Sequence, residues 1–120
     1  METLTKEDLI SELSNFVGTE CWYRHPFQKE FLLTDGVKYF ADRTQSYWLL
    51  DVIATEYFSL LKDQPFMVIT VKAENAACVI VVTDGNENQI QLKDIPFTTL
   101  TDGLWKFYLT DNVLLLPSEY

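Results

Sequence analysis

The chain reads as an α+β protein of two layers, a mostly antiparallel sheet with two helices packed on one face. Three observations predict this. Helical spacing of apolar residues is confined to two segments of the first half, and five apolar, β-rich runs then follow with no helix between them. Strands joined without crossover helices pair antiparallel. The tripeptide Thr-Asp-Gly recurs at 34–36, 83–85 and 101–103, with Thr110-Asp111-Asn112 a near relative, and such residues tolerate the positive φ of tight hairpin turns.

Taken in order, Thr5 stands as the N-cap of a first helix, with Asp8 at its third position where a negative charge suits the helix N-terminus. Leu9, Ile10, Leu13, Phe16 and Val17 share one helical face, and Gly18 is the expected stop. Thr34-Asp35-Gly36 predicts a hairpin of 31–34 with 37–40. From a Ser46 cap, "YWLLDVIATEYFSLLKD" is apolar nearly all round, its polar residues Asp51, Thr55, Ser59 and Lys62 falling on one stripe, so the domain should be organised about this second helix until Pro65 ends it.

The strands follow. "FMVITVK" (66–72) alternates in part, while "AACVIVV" is apolar on both faces and reads as central. "DGNEN" should join 77–83 to 89–93, and Asp111-Asn112 should join 105–109 to 113–116. In "WKFYLT", Trp105, Phe107 and Leu109 face one way and Lys106, Tyr108 and Thr110 the other. The terminal Tyr120 is expected to pin the last strand to the sheet, the alternative being capture of a C-terminal carboxylate by a partner. A sheet edge at "FMVITVK" or "VLLLP" would invite a second copy, which leaves a homodimer open.

A length of 120 residues suits one domain spanning 1–120, and 48% hydrophobic residues supply its core. A formal charge of −9 opposes direct binding of nucleic acid and suits either solubility or a partner with a basic groove. The acidic, amphipathic N-terminus is unlike a signal peptide, and the longest apolar run, 76–82, is too short for a bilayer. The expectation is a soluble cytoplasmic protein with no membrane partner. Cys21 and Cys78 sit in apolar or aromatic runs and read as buried hydrophobes.

Chemistry concentrates in "GTECWYRHP" (18–26), which holds the only histidine. On a strand Cys21, Tyr23 and His25 point one way, but Cys21 and His25 are then about 13 Å apart at ~3.3 Å per residue, too far for a thiol–imidazole dyad. Three Cys and His residues in all cannot complete a structural zinc site, and "DGNENQIQLKDI" lacks the glycine and the terminal glutamate of a calcium loop. No metal and no cofactor is expected, and neither phosphate-loop nor serine-esterase motifs occur. Trp22, Tyr23, Tyr39, Tyr47 and Trp48 read first as core, although Tyr and Trp near acidic residues also suit a protein-binding patch.

The segments Gly18-Thr-Glu20, Tyr23-Arg-His25, Asp35-Gly36 with Tyr39, Tyr47-Trp48 with Asp51, and Pro117 with Glu119-Tyr120 together resemble a family of small uncharacterised proteins known from bacterial genomes, plasmids and phages. The resemblance spans nearly the whole chain and implies no activity; Cys21 is outside its pattern. The expected function is a non-enzymatic acidic interaction module, an inhibitor or nucleic-acid mimic carried by a mobile element, whose protein partner has a basic nucleic-acid-binding surface. Its candidate binding residues are Glu20, Tyr23, Arg24, His25, Asp35, Tyr39 and Asp51, with Arg24 and His25 donating to a carboxylate or phosphate and the tyrosines giving contact area. The alternative is a small enzyme using His25 as acid–base and Arg24 to steady an anionic substrate. In a third reading, residues 20–25 and 47–51 only lock the first hairpin to the second helix.

Overall fold

The strands of the second half form where the apolar runs and turn residues predict them. The structure, a computed structural model, describes residues 4–18 and 21–120. Strands β3 (Phe66–Glu74), β4 (Ala77–Asp84), β5 (Gln89–Ile95), β6 (Gly103–Thr110) and β7 (Val113–Leu115) join two short ones, β1 (Tyr23–Arg24) and β2 (Leu32–Leu33). They make one seven-stranded sheet in the order β1-β2-β7-β6-β3-β4-β5. Every pairing is antiparallel except β2 with β7. The fold is α+β, as the sequence predicts.

Alternate strand residues enter the core: Met67, Ile69 and Val71 from β3, Ile80 and Val82 from β4, and Trp105, Phe107 and Leu109 from β6 are buried. They belong to a single apolar cluster with the buried helix residues, running from Leu9 to Leu116. The β6–β7 turn takes positive φ at Asp111 and Asn112, as a two-residue hairpin demands. In the β4–β5 loop the Asp84 carboxylate accepts from the Asn86 and Asn88 backbone N–H groups and from the Asn88 side chain. These bonds, led by those from Asn88, hold its carboxyl below the usual range.

Three expectations are corrected. Thr34-Asp35-Gly36 opens a helix, α2 (Asp35–Thr44), and no 37–40 strand exists. Thr34 is its N-cap and accepts from the Val37 N–H, while Val37, Phe40, Ala41 and Thr44 keep helical spacing and are buried. Among the described residues the α-helices are therefore three: α1 (Lys6–Leu13), α2 and α3 (Tyr47–Val52). Second, Thr5 caps α1 as expected, with the Asp8 N–H 3.1 Å from the threonine hydroxyl, but the helix ends at Leu13, short of Val17, and both Ile10 and Val17 are exposed. Third, β3 and β7 are paired on both sides; the edges are β1 and β5, so the segments expected to invite a second copy are closed.

The second predicted helix keeps its extent and changes its winding. After α3 the chain passes through a π-turn segment (Ile53–Tyr57) and a 3₁₀ segment (Phe58–Lys62). Thr55, Ser59 and Lys62 remain exposed, as the polar stripe requires. Tyr57 is buried with its hydroxyl unpartnered among the described residues, and burial pushes its phenol up to about 12.

The C-terminal turn ties the helical segments to the sheet. Ser118 donates to the Phe16 carbonyl at 2.6 Å, and the Tyr120 ring lies 5.5 Å from Phe66 and 5.4 Å from Tyr108. Glu119 accepts from the Thr34 hydroxyl (2.6 Å) and the Leu116 N–H (3.0 Å) through one oxygen, and from the Gly36 N–H (3.1 Å) through the other. A Cβ on Gly36 would meet that carboxylate and Leu116 Cδ1 at 2.6 Å.

Two predictions follow from this packing. Glu119→Ala, which strands the Gly36 and Leu116 amides, should lower unfolding free energy by roughly 2–4 kcal/mol in urea titration, and Gly36→Ala by roughly 1–3 kcal/mol. Tyr57→Phe should instead match or exceed the parent, by up to about 2 kcal/mol, because it removes a buried hydroxyl that has no partner.

Candidate functional site

Residues 21–33 fold back as β1, a loop and β2, with Tyr23 opposite Leu33 and Arg24 opposite Leu32. The His25 N–H continues the pairing to the Phe31 carbonyl at 2.9 Å. Pleat places the His25 side chain on the Tyr23 side, where it is almost wholly buried, stacked on Phe31 and met edge-on by Phe27.

Both ring nitrogens of His25 are engaged. Nδ1 accepts from the backbone N–H groups of Gln28 (3.2 Å) and Phe27 (3.4 Å), so the ring proton resides on Nε2, which donates to Asp51 Oδ1 at 2.9 Å. Asp51 stands on α3; the histidine thus fastens the 25–31 loop to that helix. A general base must direct a lone pair at its substrate, and this imidazole has none to spare. Nor does it offer a donor to a ligand, the role expected of it beside Arg24.

Above this floor lies a pocket of about 510 Å³. Leu33 and Leu50 share its base with His25, and Trp22, Tyr23, Phe27 and Tyr47 stand round it, 54%, 36%, 69% and 44% exposed. Its charged lining is Arg24, Lys38 and Asp51. The Lys38 ammonium reaches Asp42 (3.1 Å) and the Tyr47 hydroxyl (3.2 Å), and hangs over the Tyr23 and Tyr47 rings at 5.4 and 5.8 Å. The Tyr47 hydroxyl also donates to Asp42. Arg24 is exposed and makes no ion pair among the described residues.

Of the candidate residues, Tyr23, Arg24, His25 and Asp51 meet in this pocket. Asp35 and Tyr39 line a shallower adjoining depression of about 370 Å³ that shares Tyr23 and Lys38 with it. Asp35 accepts from the Cys21 N–H at 3.4 Å. The Tyr23 phenol is pushed up by burial first and then by the Asp35 charge. Tyr39 donates to Glu12 at 2.5 Å, and Arg43 grips the same carboxylate. Arg43 and then Tyr39 hold Glu12 below its usual range, while Glu12 raises Tyr39. Glu20 lies outside the described residues. Cys21 is exposed, against expectation, and Cys78 is buried.

Sequence reasoning missed Lys38, Phe27 and the floor leucines. Lys38 and Asp42 lie four apart on one helical face, a signal hidden by reading Thr34-Asp35-Gly36 as a turn. Two wider depressions, of about 810 and 660 Å³, lie elsewhere and have no aromatic lining. Among the described residues no group of three or more His, Cys, Asp or Glu side chains is placed to hold a metal ion, and no helix is long and apolar enough to cross a membrane.

These features define an α+β fold with an aromatic pocket built over a fully bonded histidine. The chain belongs to the Family of unknown function (DUF6876), which matches residues 7–120. No curated protein and no solved structure matches it.

His25→Ala should lower stability by roughly 1–3 kcal/mol in thermal or urea unfolding, since it strands the amides of Phe27 and Gln28. Asp51→Asn keeps an acceptor for Nε2–H and should cost clearly less.

Proposed function

We propose that the protein is a non-enzymatic interaction module that binds a protein partner through the aromatic pocket. One observation carries this reading: four large aromatic side chains, each more than a third exposed, cluster round one cavity. Apolar residues scattered singly over a surface are ordinary, whereas clustered aromatics mark binding sites. A cavity of this size takes a side chain or two of a docked segment.

The small-enzyme alternative has less support, because its acid–base group spends both nitrogens on the fold. Mimicry of nucleic acid is weakened too. Glu12, Asp42, Asp51, Glu56, Asp84 and Glu119 bond within the chain and are not simply presented outward. The remaining acidic charge still favours a basic partner.

The test is capture of a partner from host lysate near physiological salt, with and without competing DNA, by the parent and by the double variant Trp22→Ser, Phe27→Ser. The expected result is a specific protein held by the parent and lost by a folded double variant. Displacement by DNA would add mimicry to the reading. Equal capture by both proteins would exclude the pocket.

A further inference from the structure

We infer that the pocket receives an arginine side chain of the partner, stacked among the aromatic rings and paired with Asp51; this rests on the interaction reading above. The argument begins with Asp51. Its Oδ1 accepts from a neutral imidazole, since His25 Nδ1 is itself an acceptor, so the bond orients the carboxylate without cancelling its charge. The side chain is 48% exposed at the pocket, and Oδ2 has no partner among the described residues. An oriented, charged carboxylate beside apolar walls calls for a cation.

The walls favour the same occupant. The electron-rich faces of Trp and Tyr attract cations, and Tyr23 and Tyr47 already flank the ammonium of Lys38. A guanidinium adds what an ammonium lacks, a plane that stacks on rings while its edge donates to a carboxylate. The net charge of −9 draws a basic segment toward this surface.

Two lining cations oppose it, and they differ. Lys38 is neutralised by Asp42 and bonded to Tyr47. Arg24 has no ion-pair partner among the described residues and therefore subtracts from the binding of any cation. This sets the sign of one variant: removing the Arg24 charge strengthens arginine binding, whereas it would weaken the binding of an anion.

The experiment is a tryptophan-fluorescence titration at low salt with the acetylated, amidated pentapeptide Gly-Gly-Arg-Gly-Gly, and with its citrulline analogue, which keeps the shape and lacks the charge. The arginine peptide should give a saturable change that Trp22→Phe removes, and citrulline should bind about tenfold more weakly. Asp51→Asn, which still accepts from His25, should lose about tenfold, and Arg24→Gln should gain about twofold or more. Equal binding of the two peptides, no saturable change, or weakening by Arg24→Gln would overturn the assignment. If the assignment fails while Trp22→Ser, Phe27→Ser still loses the captured partner, the interaction reading survives without the arginine.

Discussion

The carboxylate of Glu119 is the joint on which the first half of the molecule is assembled. Helix α2 begins with N–H groups that have no partner within the helix, and a carboxylate there answers both the missing acceptor and the positive end of the helix dipole. Glu119 supplies it from the far end of the chain, 85 residues from Thr34. Its second contact, to the Gly36 amide, requires an approach that any Cβ would block. The Thr34 N–H donates to the Leu114 carbonyl, so the parallel β2–β7 pairing and the start of α2 are fixed at one place. The direction of α2 then determines where Lys38, Tyr39 and Asp42 emerge.

The His25–Asp51 bond is the second such joint. His25, Asp51, Glu119 and Gly36 close hydrogen bonds inside the fold. Trp22, Phe27 and Tyr47 leave much of their area in solvent. Groups that look reactive in the sequence thus hold the frame, and aromatic side chains that a composition count would assign to the core stand at the surface.

Legibility followed the range of the forces involved. Strand β6 was readable because a half-buried strand writes its alternation into adjacent letters, the other strands of the second half because apolar runs are bounded by turn residues, and the Thr5 cap because it acts within three residues. Thr-Asp-Gly was ambiguous by its physics: threonine caps helices, and Asp-Gly makes turns. At 83–85 the polar Asn86-Glu87-Asn88 follows and a loop forms; at 34–36 the helically spaced Val37, Phe40 and Ala41 follow and a helix forms. The next eight residues decide, and the tripeptide does not. The π and 3₁₀ winding after α3 had no signal in a segment apolar nearly all round. His25 and Asp51 were both named as site residues, but the role of the histidine depends on two backbone amides that no residue type reveals.

The joints also bear on how a two-residue edge strand can hold a pocket wall. Isolated β-ribbons of this length are marginal in water, and a pocket hung on β1 alone would spend binding energy on ordering itself. Here the segment is held on several sides: by His25 to α3, by the Cys21 amide to Asp35 at the head of α2, and by the stack of Tyr23, Lys38 and Tyr47. The entropy of the pocket wall is lost on folding, before any partner arrives. Of the two lining cations, Lys38 is paired with Asp42 and Arg24 has no ion-pair partner among the described residues, so on the proposed reading Arg24 tunes which charges the preformed cavity admits. On the proposed reading, a cavity braced by internal bonds, whose histidine spends both nitrogens on the fold, is better suited to choosing a partner than to transforming one.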